Sequence, residues 1–338
     1  MRAVVLPGDM SVAVQELPDP KPDAGEVVVR VLASAVCGSD MSALRGDPVV
    51  GKKPEYLVPG HEVAGVIQSV GDGVTGVAVG DRVAVYLAVG CMRCSYCRSG
   101  SIMLCPHATI VGFDRWGGDA DLIAVPAVNC MPLPEGLDFV EGALSTDMFG
   151  TQFATQDRLA VSGADTVVVS GLGPMGAAAV AVARARGARV IAIDPVEGRR
   201  ELGLRMGAHE VLSAIDETVE ALGSARGRGG PDVVIECSGN AGAQGAALDV
   251  VRPFGRVAFV GESRRAEINP SSQFIRKMIS VVGAWYFPIH QYDEIADFLV
   301  QHRVPVREMV SDRFDLADAS RAFEMLAART ADKMVFAS

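Results

Sequence analysis

Residues 166–194 read TVVVS GLGPMG AAAVAVARARGA RVIAI D. The β-branched run Thr166–Ser170 predicts a strand, and AAAVAVARAR predicts a helix, with Pro174 in its first turn and Gly187 closing it. RVIAI is a second strand ending in Asp194. In such a unit Gly171 permits the tight turn, Gly173 lets backbone approach a pyrophosphate, and Gly176 lets helix and strand pack closely. Leu172, Pro174 and Met175 complete the cradle, where the helix start offers amides and a positive dipole end to phosphates. Asp194 lies about 20 residues further on, placed to accept from the hydroxyls of an adenosine ribose, which favours NAD over NADP. Arg199 is a further cofactor-binding candidate; it and Arg200 are the features that speak for NADP. The alternative is a glycine turn before an ordinary packing helix, with Asp194 as a cap.

Outward from this stretch, DVVIE, RVAFV and SVVGA continue a rhythm of five-residue strands separated by Ala- and Arg-rich segments, which means a parallel sheet with crossover helices. Upstream, from Arg2 to about Asn129, the apolar runs are short, β-branched and punctuated by Gly, Asp and Pro, as in a β-rich domain. Beyond about Tyr286 amphipathic helical spacing returns. A chain of 338 residues exceeds what one core usually serves. The expected organisation is a doubly wound cofactor domain over 148–286, and a β-rich domain over 1–147 that the tail 287–338 rejoins.

With 49% hydrophobic and 21% charged residues and no bilayer-length apolar run, the composition predicts a soluble globular protein. A net charge of -10 argues against nucleic acid and anionic membranes as partners. MRAVVLPGDM has no secretory leader, so a cytoplasmic location is expected.

Cys91, Cys94, Cys97 and Cys105 have the spacing of a closed tetrahedral zinc knuckle, which holds chain in shape and leaves no position for substrate. A pair of disulfides fits less well with seven cysteines and a reducing compartment. Cys37 in AVCGSD and His61 in PGHE follow separate β segments, as in an open metal site, although either alone reads equally as a core residue.

In order and spacing, CGSD, GHE, the four-cysteine lobe, GLGPMG and the acid at the next strand's end resemble the zinc-dependent medium-chain alcohol dehydrogenases over nearly the whole chain. That resemblance implies a GroES-like β domain carrying a catalytic zinc, with an inserted Rossmann domain for the nicotinamide cofactor and the structural lobe near 90–106. It implies two zinc ions per chain. Cys37 and His61 match catalytic ligands, and Asp147 stands where many members have cysteine or glutamate and the tetrameric secondary-alcohol enzymes have aspartate. Glu62 matches a glutamate that ligates the metal or sits just outside it. The alternatives are a helix cap near Met148 for Asp147 and a salt bridge for Glu62. Thiolate, imidazole and one carboxylate would leave the zinc site formally neutral, and Glu62 would make it anionic.

The implied reaction is hydride transfer between an alcohol and nicotinamide, with the metal lowering the alcohol's pKa. Ser39 matches the hydroxyl that passes the proton outward, but Ser42 replaces the relay histidine of some members. Thr151, Ser238, Gly261 and Trp285 are expected around the nicotinamide, and Trp116 at the substrate cleft or anchoring a turn. The implied substrate is a small secondary alcohol, polyol or amino alcohol and its carbonyl partner, handled by a homo-tetramer or a dimer. Rival readings on the same scaffold are a zinc-free enone or quinone reductase and a non-catalytic nicotinamide-binding protein.

Overall fold

The computed structural model describes residues 1–47, 56–215, 217 and 229–337. The chain divides into two compact units, one made of Met1–Asp147, Phe287–Val300 and Val310 onward, the other of Met148–Tyr286 and Gln301–Met309.

The first unit is β-rich. Its longest strand, Glu26–Val36, pairs antiparallel with Glu62–Val70 on one side, and on the other with Lys333–Ala337 and Leu122–Pro126. Arg82–Val85 and Cys130–Pro132 extend the sheet beyond Glu62–Val70, and Val310–Phe314 lies parallel to Lys333–Ala337 at the other edge. Valines and isoleucines alternating inward build its core: Val27, Val29, Val63, Ile67, Val83, Val85, Ile123 and Val125 are all buried. Each such side chain contributes about 1.5–3 kcal/mol on leaving water. The register places Ala35 opposite Glu62 and Val36 opposite Met334. The central strand therefore ends just before Cys37, beside the starts of two neighbours at Glu62 and Lys333.

The second unit is a six-stranded parallel sheet in the order Glu210–Leu212, Arg189–Ile193, Thr166–Ser170, Val233–Glu236, Arg256–Phe259, Ser280–Gly283. In chain order this is 3-2-1-4-5-6, the doubly wound arrangement, whose topological switch point falls at the carboxyl end of Thr166–Ser170. Helix Pro174–Ala185 is buried from Gly176 to Ala183 because Ala and Val make it apolar on nearly every face. The tail is not all of one unit. Gln301–Met309 belongs to the second, where the short turn Val306–Met309 packs against helix Pro174–Ala185 and buries Val306 and Met309. No helix among the described residues is long and apolar enough to cross a membrane.

Candidate active site and metal centres

Three elements of the first unit deliver one cluster of donors. Cys37 follows the central strand, His61 and Glu62 open the neighbouring strand, and Asp147 sits in the π-helical turn Ser145–Phe149. Ligand-type atoms of these four residues all lie within 4.8 Å of one another. The π turn has a local cause: the Ser145 and Thr146 hydroxyls each donate to a carbonyl three residues back, Gly142 and Ala143, at 2.7 Å. Such back-bonding loosens the regular helical ladder. Asp147 is therefore inside a continuing helical segment and does not cap a helix near Met148.

His61 Nε2 is 3.6 Å from Asp147 Oδ2 and 3.5 Å from Ser39 Oγ. Its other ring nitrogen, Nδ1, lies 3.3 Å from Asp40 Oδ1, while Asp40 Oδ2 accepts from the Cys37 amide at 2.8 Å. A carboxylate behind a ligating imidazole fixes its tautomer and aim. Burial opposes a charge on His61, but Asp40, Asp147 and Cys37 outweigh it and raise its pKa. A thiol, an imidazole and two carboxylates, largely buried and rich in negative charge, suit a cation of the zinc type.

Glu62 realises its salt-bridge alternative and keeps a free oxygen as well. Lys333 Nζ donates to Oε1 at 2.6 Å, with both side chains buried, whereas Oε2 is buried with no hydrogen-bond partner among the described residues. Burial raises the Glu62 carboxyl to about 7 against the pull of Lys333. Lys333 is itself held above the lysine range, because Glu62, Cys37 and Asp147 outweigh its own burial. Asp119 is a further buried acid, accepting from Ser34 Oγ at 2.6 Å and raised to about 8 by burial and by Asp40. Sequence reasoning assigned no role to Asp40, Lys333 or Asp119. Asp40 was signalled by its place in CGSD; Lys333 showed only as a cation opening the apolar strand KMVFA.

The second cluster is Cys91, Cys94, Cys97 and Cys105, again within 4.8 Å. All seven cysteines are free, and Cys94 Sγ stands 3.5 Å from Cys97 Sγ, beyond bonding distance. Cys94 caps the short helix Ser95–Arg98 by accepting from the Cys97 amide, and Cys105 Sγ accepts from the Cys91 and His107 amides. Backbone donors from Arg93 and Cys94 lower the Cys91 thiol to about 6, while burial pushes Cys97 up to about 12. A metal would hold all four as thiolates.

In the second unit Gly171 has φ +86°, and a Cβ on Gly176 would stand 1.7 Å from the Gly171 carbonyl oxygen. A Cβ on Gly173 would meet nothing within 4 Å. Gly173 also precedes Pro174–Ala185 without a side-chain cap. That open, uncapped helix start is a place a pyrophosphate could fill. Asp194 is buried; it accepts from the Leu172 amide at 2.8 Å and the Val196 amide at 2.9 Å, with Arg199 Nη1 3.6 Å away. Arg200 instead donates to the Asp194 and Pro195 carbonyls. Ser238 abuts Gly171 and donates to Glu236, and Gly261 lies against Gly239, so both border the switch point.

The outlying candidates divide. Thr151 is buried on helix Gly150–Arg158, and Trp285, 41% exposed, stacks on Tyr286. Met175 is in the first turn of Pro174–Ala185. Trp116 packs on Ala3, Val58 and Ala120 with Tyr56 beside it. Ser42 lies on helix Asp40–Arg45.

Residues 23–135 match the Alcohol dehydrogenase GroES-like domain family, and residues 174–301 the Zinc-binding dehydrogenase family. The chain is 31% identical to the uncharacterized zinc-type alcohol dehydrogenase-like protein YphC of Escherichia coli strain K12, over 99% of this chain and 98% of that protein. It is 32% identical to an L-threonine 3-dehydrogenase of Pyrococcus abyssi, over 95% of this chain and 93% of that one. Among solved structures it is similar to alcohol dehydrogenase TADH from Thermus sp. ATN1, with a TM-score of 0.91 at 29% identity, covering 100% and 99% of the two chains. With both the fold and the two thiol-containing clusters in place, the chain belongs to the zinc-dependent medium-chain alcohol dehydrogenases, a family of oxidoreductases.

Proposed function

We propose that this protein transfers a hydride between NAD and a small secondary alcohol, polyol or amino alcohol and its ketone or aldehyde. The observation that carries the reading is the convergence of Cys37, His61, Glu62 and Asp147 donors within 4.8 Å. Cys37, His61 and Asp147 would hold the catalytic zinc, with Glu62 adjacent, and the four lobe cysteines a structural one. A zinc ion there supplies Lewis acidity towards an alcohol or carbonyl oxygen, and NAD supplies the hydride acceptor. Asp40 keeps the His61 ring aimed through Nδ1. Ser39 Oγ, beside His61, takes the departing hydroxyl proton and hands it outward to water or a ribose hydroxyl, since Ser42 cannot act as a histidine would. Gly171, Leu172, Gly173, Pro174, Met175 and Gly176 receive the pyrophosphate, Asp194 and Arg199 border the adenosine ribose, and Thr151, Ser238, Gly261 and Trp285 serve the nicotinamide. Likeness to an L-threonine 3-dehydrogenase supports an amino alcohol among the substrates.

Initial rates with matched primary alcohols, secondary alcohols, polyols and L-threonine, each with NAD and NADP on protein carrying two zinc ions per chain, test the reading. Turnover of one secondary or polyol class with NAD is expected; silence across the panel with both cofactors overturns it. Seven free cysteines support a reducing, cytoplasmic setting. We also infer a homo-tetramer, because each unit exposes its own apolar surface.

A further inference from the structure

Ser34 and Asp119 form a buried pair that the proposed reaction leaves unused. Both are fully shielded from solvent, and Ser34 Oγ donates to Asp119 Oδ1 at 2.6 Å. Oδ2 is buried with no hydrogen-bond partner among the described residues. An acid buried in this way costs stability that an apolar side chain of similar size would not, so folding alone does not account for it. Its place in the fold does. Ser34 lies three residues before Cys37, on strand Glu26–Val36, and Gly60 immediately precedes His61. Residues 117–119 run alongside 58–60, where the amides of Gly117, Gly118 and Asp119 donate to the carbonyls of Val58, Gly60 and Pro59 at 2.7, 2.8 and 2.9 Å. Gly60 has φ +93°, and a Cβ there would stand 2.6 Å from Ser34 Oγ and strike Asp119 Oδ1. The hydroxyl and the carboxyl therefore rest directly on the Gly60 Cα. Earlier in the same loop, Phe113 brings its ring to 5.0 Å from the His61 ring.

Resting on the reading of Cys37, His61 and Asp147 as metal ligands, we propose that Asp119 is a positioning residue for that set. Through Ser34 it ties the turn that carries His61 to the strand that carries Cys37, and so sets the spacing of the two ligands. Asp40 aims the His61 ring, whereas Asp119 places its backbone. Burial and Asp40 raise the Asp119 carboxyl to about 8, so near neutral pH it is an uncharged acid, for which asparagine is the conservative substitute.

The test uses protein with cobalt exchanged into the catalytic set and zinc retained in the cysteine lobe, comparing wild type, Asp119→Asn, Asp119→Ala, Ser34→Ala and the double alanine variant. Readouts are the visible cobalt spectrum and the release of each metal to a competing chelator at pH 7. In both single alanine variants the cobalt bands should shift and cobalt affinity should fall by about tenfold or more, while the lobe keeps its zinc as in wild type. The double variant should lose no more than either single one, because both act through one bond. Asp119→Asn, whose amide oxygen still accepts from Ser34, should keep the wild-type spectrum and affinity. Ser34→Ala removes a single oxygen and keeps the test open if Asp119→Ala fails to fold. Wild-type cobalt affinity and spectrum in Ser34→Ala, parallel loss of cobalt and lobe zinc, or an Asp119→Asn protein as weak as Asp119→Ala overturns the proposal. Failure of wild type to hold cobalt at this set overturns the underlying ligand reading instead.

Discussion

Asp119 shows what a single buried acid does to stability. Burial and the nearby Asp40 raise its carboxyl from 3.8 to about 8, and Ser34 Oγ donates to it. The folded protein keeps this proton across a range where an unfolded aspartate has lost it, so unfolding releases a proton between pH 4 and 8. Stability from this group therefore falls as pH rises, by at most about 1.4 kcal/mol per pH unit. Asp119→Asn removes the ionisation and nearly keeps the shape. Its thermal midpoint should drop less than wild type between pH 5 and pH 8, and parallel pH profiles for the two proteins would refute this. At this scale the sequence was partly readable. Cys37, His61 and the lobe cysteines stood out because ligand chemistry restricts residue type and spacing, whereas a lone aspartate in WGGDAD gave no sign that it would be buried.

The glycine loop is the element whose function and folding can be separated. Gly176 cannot carry a Cβ without striking the Gly171 carbonyl, while Gly173 faces open space. Gly176→Ala should therefore lower the unfolding midpoint and expression, having forced helix Pro174–Ala185 off its strand. Gly173→Ala should leave the midpoint of the cofactor-free protein unchanged and, on the proposed reading of this loop as the NAD cradle, weaken NAD binding, by calorimetry, about tenfold or more, since the methyl would occupy the cradle. Equal losses of stability in both would contradict this division. The strand-turn-helix unit was legible in sequence because its signals are local: a β-branched run, glycines at fixed offsets, proline at the helix start. The π turn at Asp147 was not, since it depends on which carbonyls the Ser145 and Thr146 hydroxyls reach.

For the whole molecule, assembly is the property most open to measurement. The second unit ends in an edge strand, Ser280–Gly283, with Phe254, Ile275 and Met278 nearby at 65%, 71% and 64% exposure. The first unit exposes Met92, Tyr96 and Leu104 on the cysteine lobe. In the proposed tetramer each of these two groups of exposed apolar side chains would pair with itself about a two-fold axis. Light scattering should give four times the 35.4 kDa chain mass, and replacing Ile275 and Met278 by lysine should halve it. A monodisperse monomer would remove the inference. By itself the sequence determined the fold class, the cysteine lobe and the glycine turn between strand and helix, because each is written in residues close together along the chain. Only the tertiary structure decided that Lys333 meets Glu62 across 271 positions, that Ser34 meets Asp119, that Trp116 packs on Ala3, Val58 and Ala120, and that Gln301–Met309 joins the second unit. Those contacts follow from strand register and burial, which place distant residues side by side without leaving a pattern in either stretch of sequence.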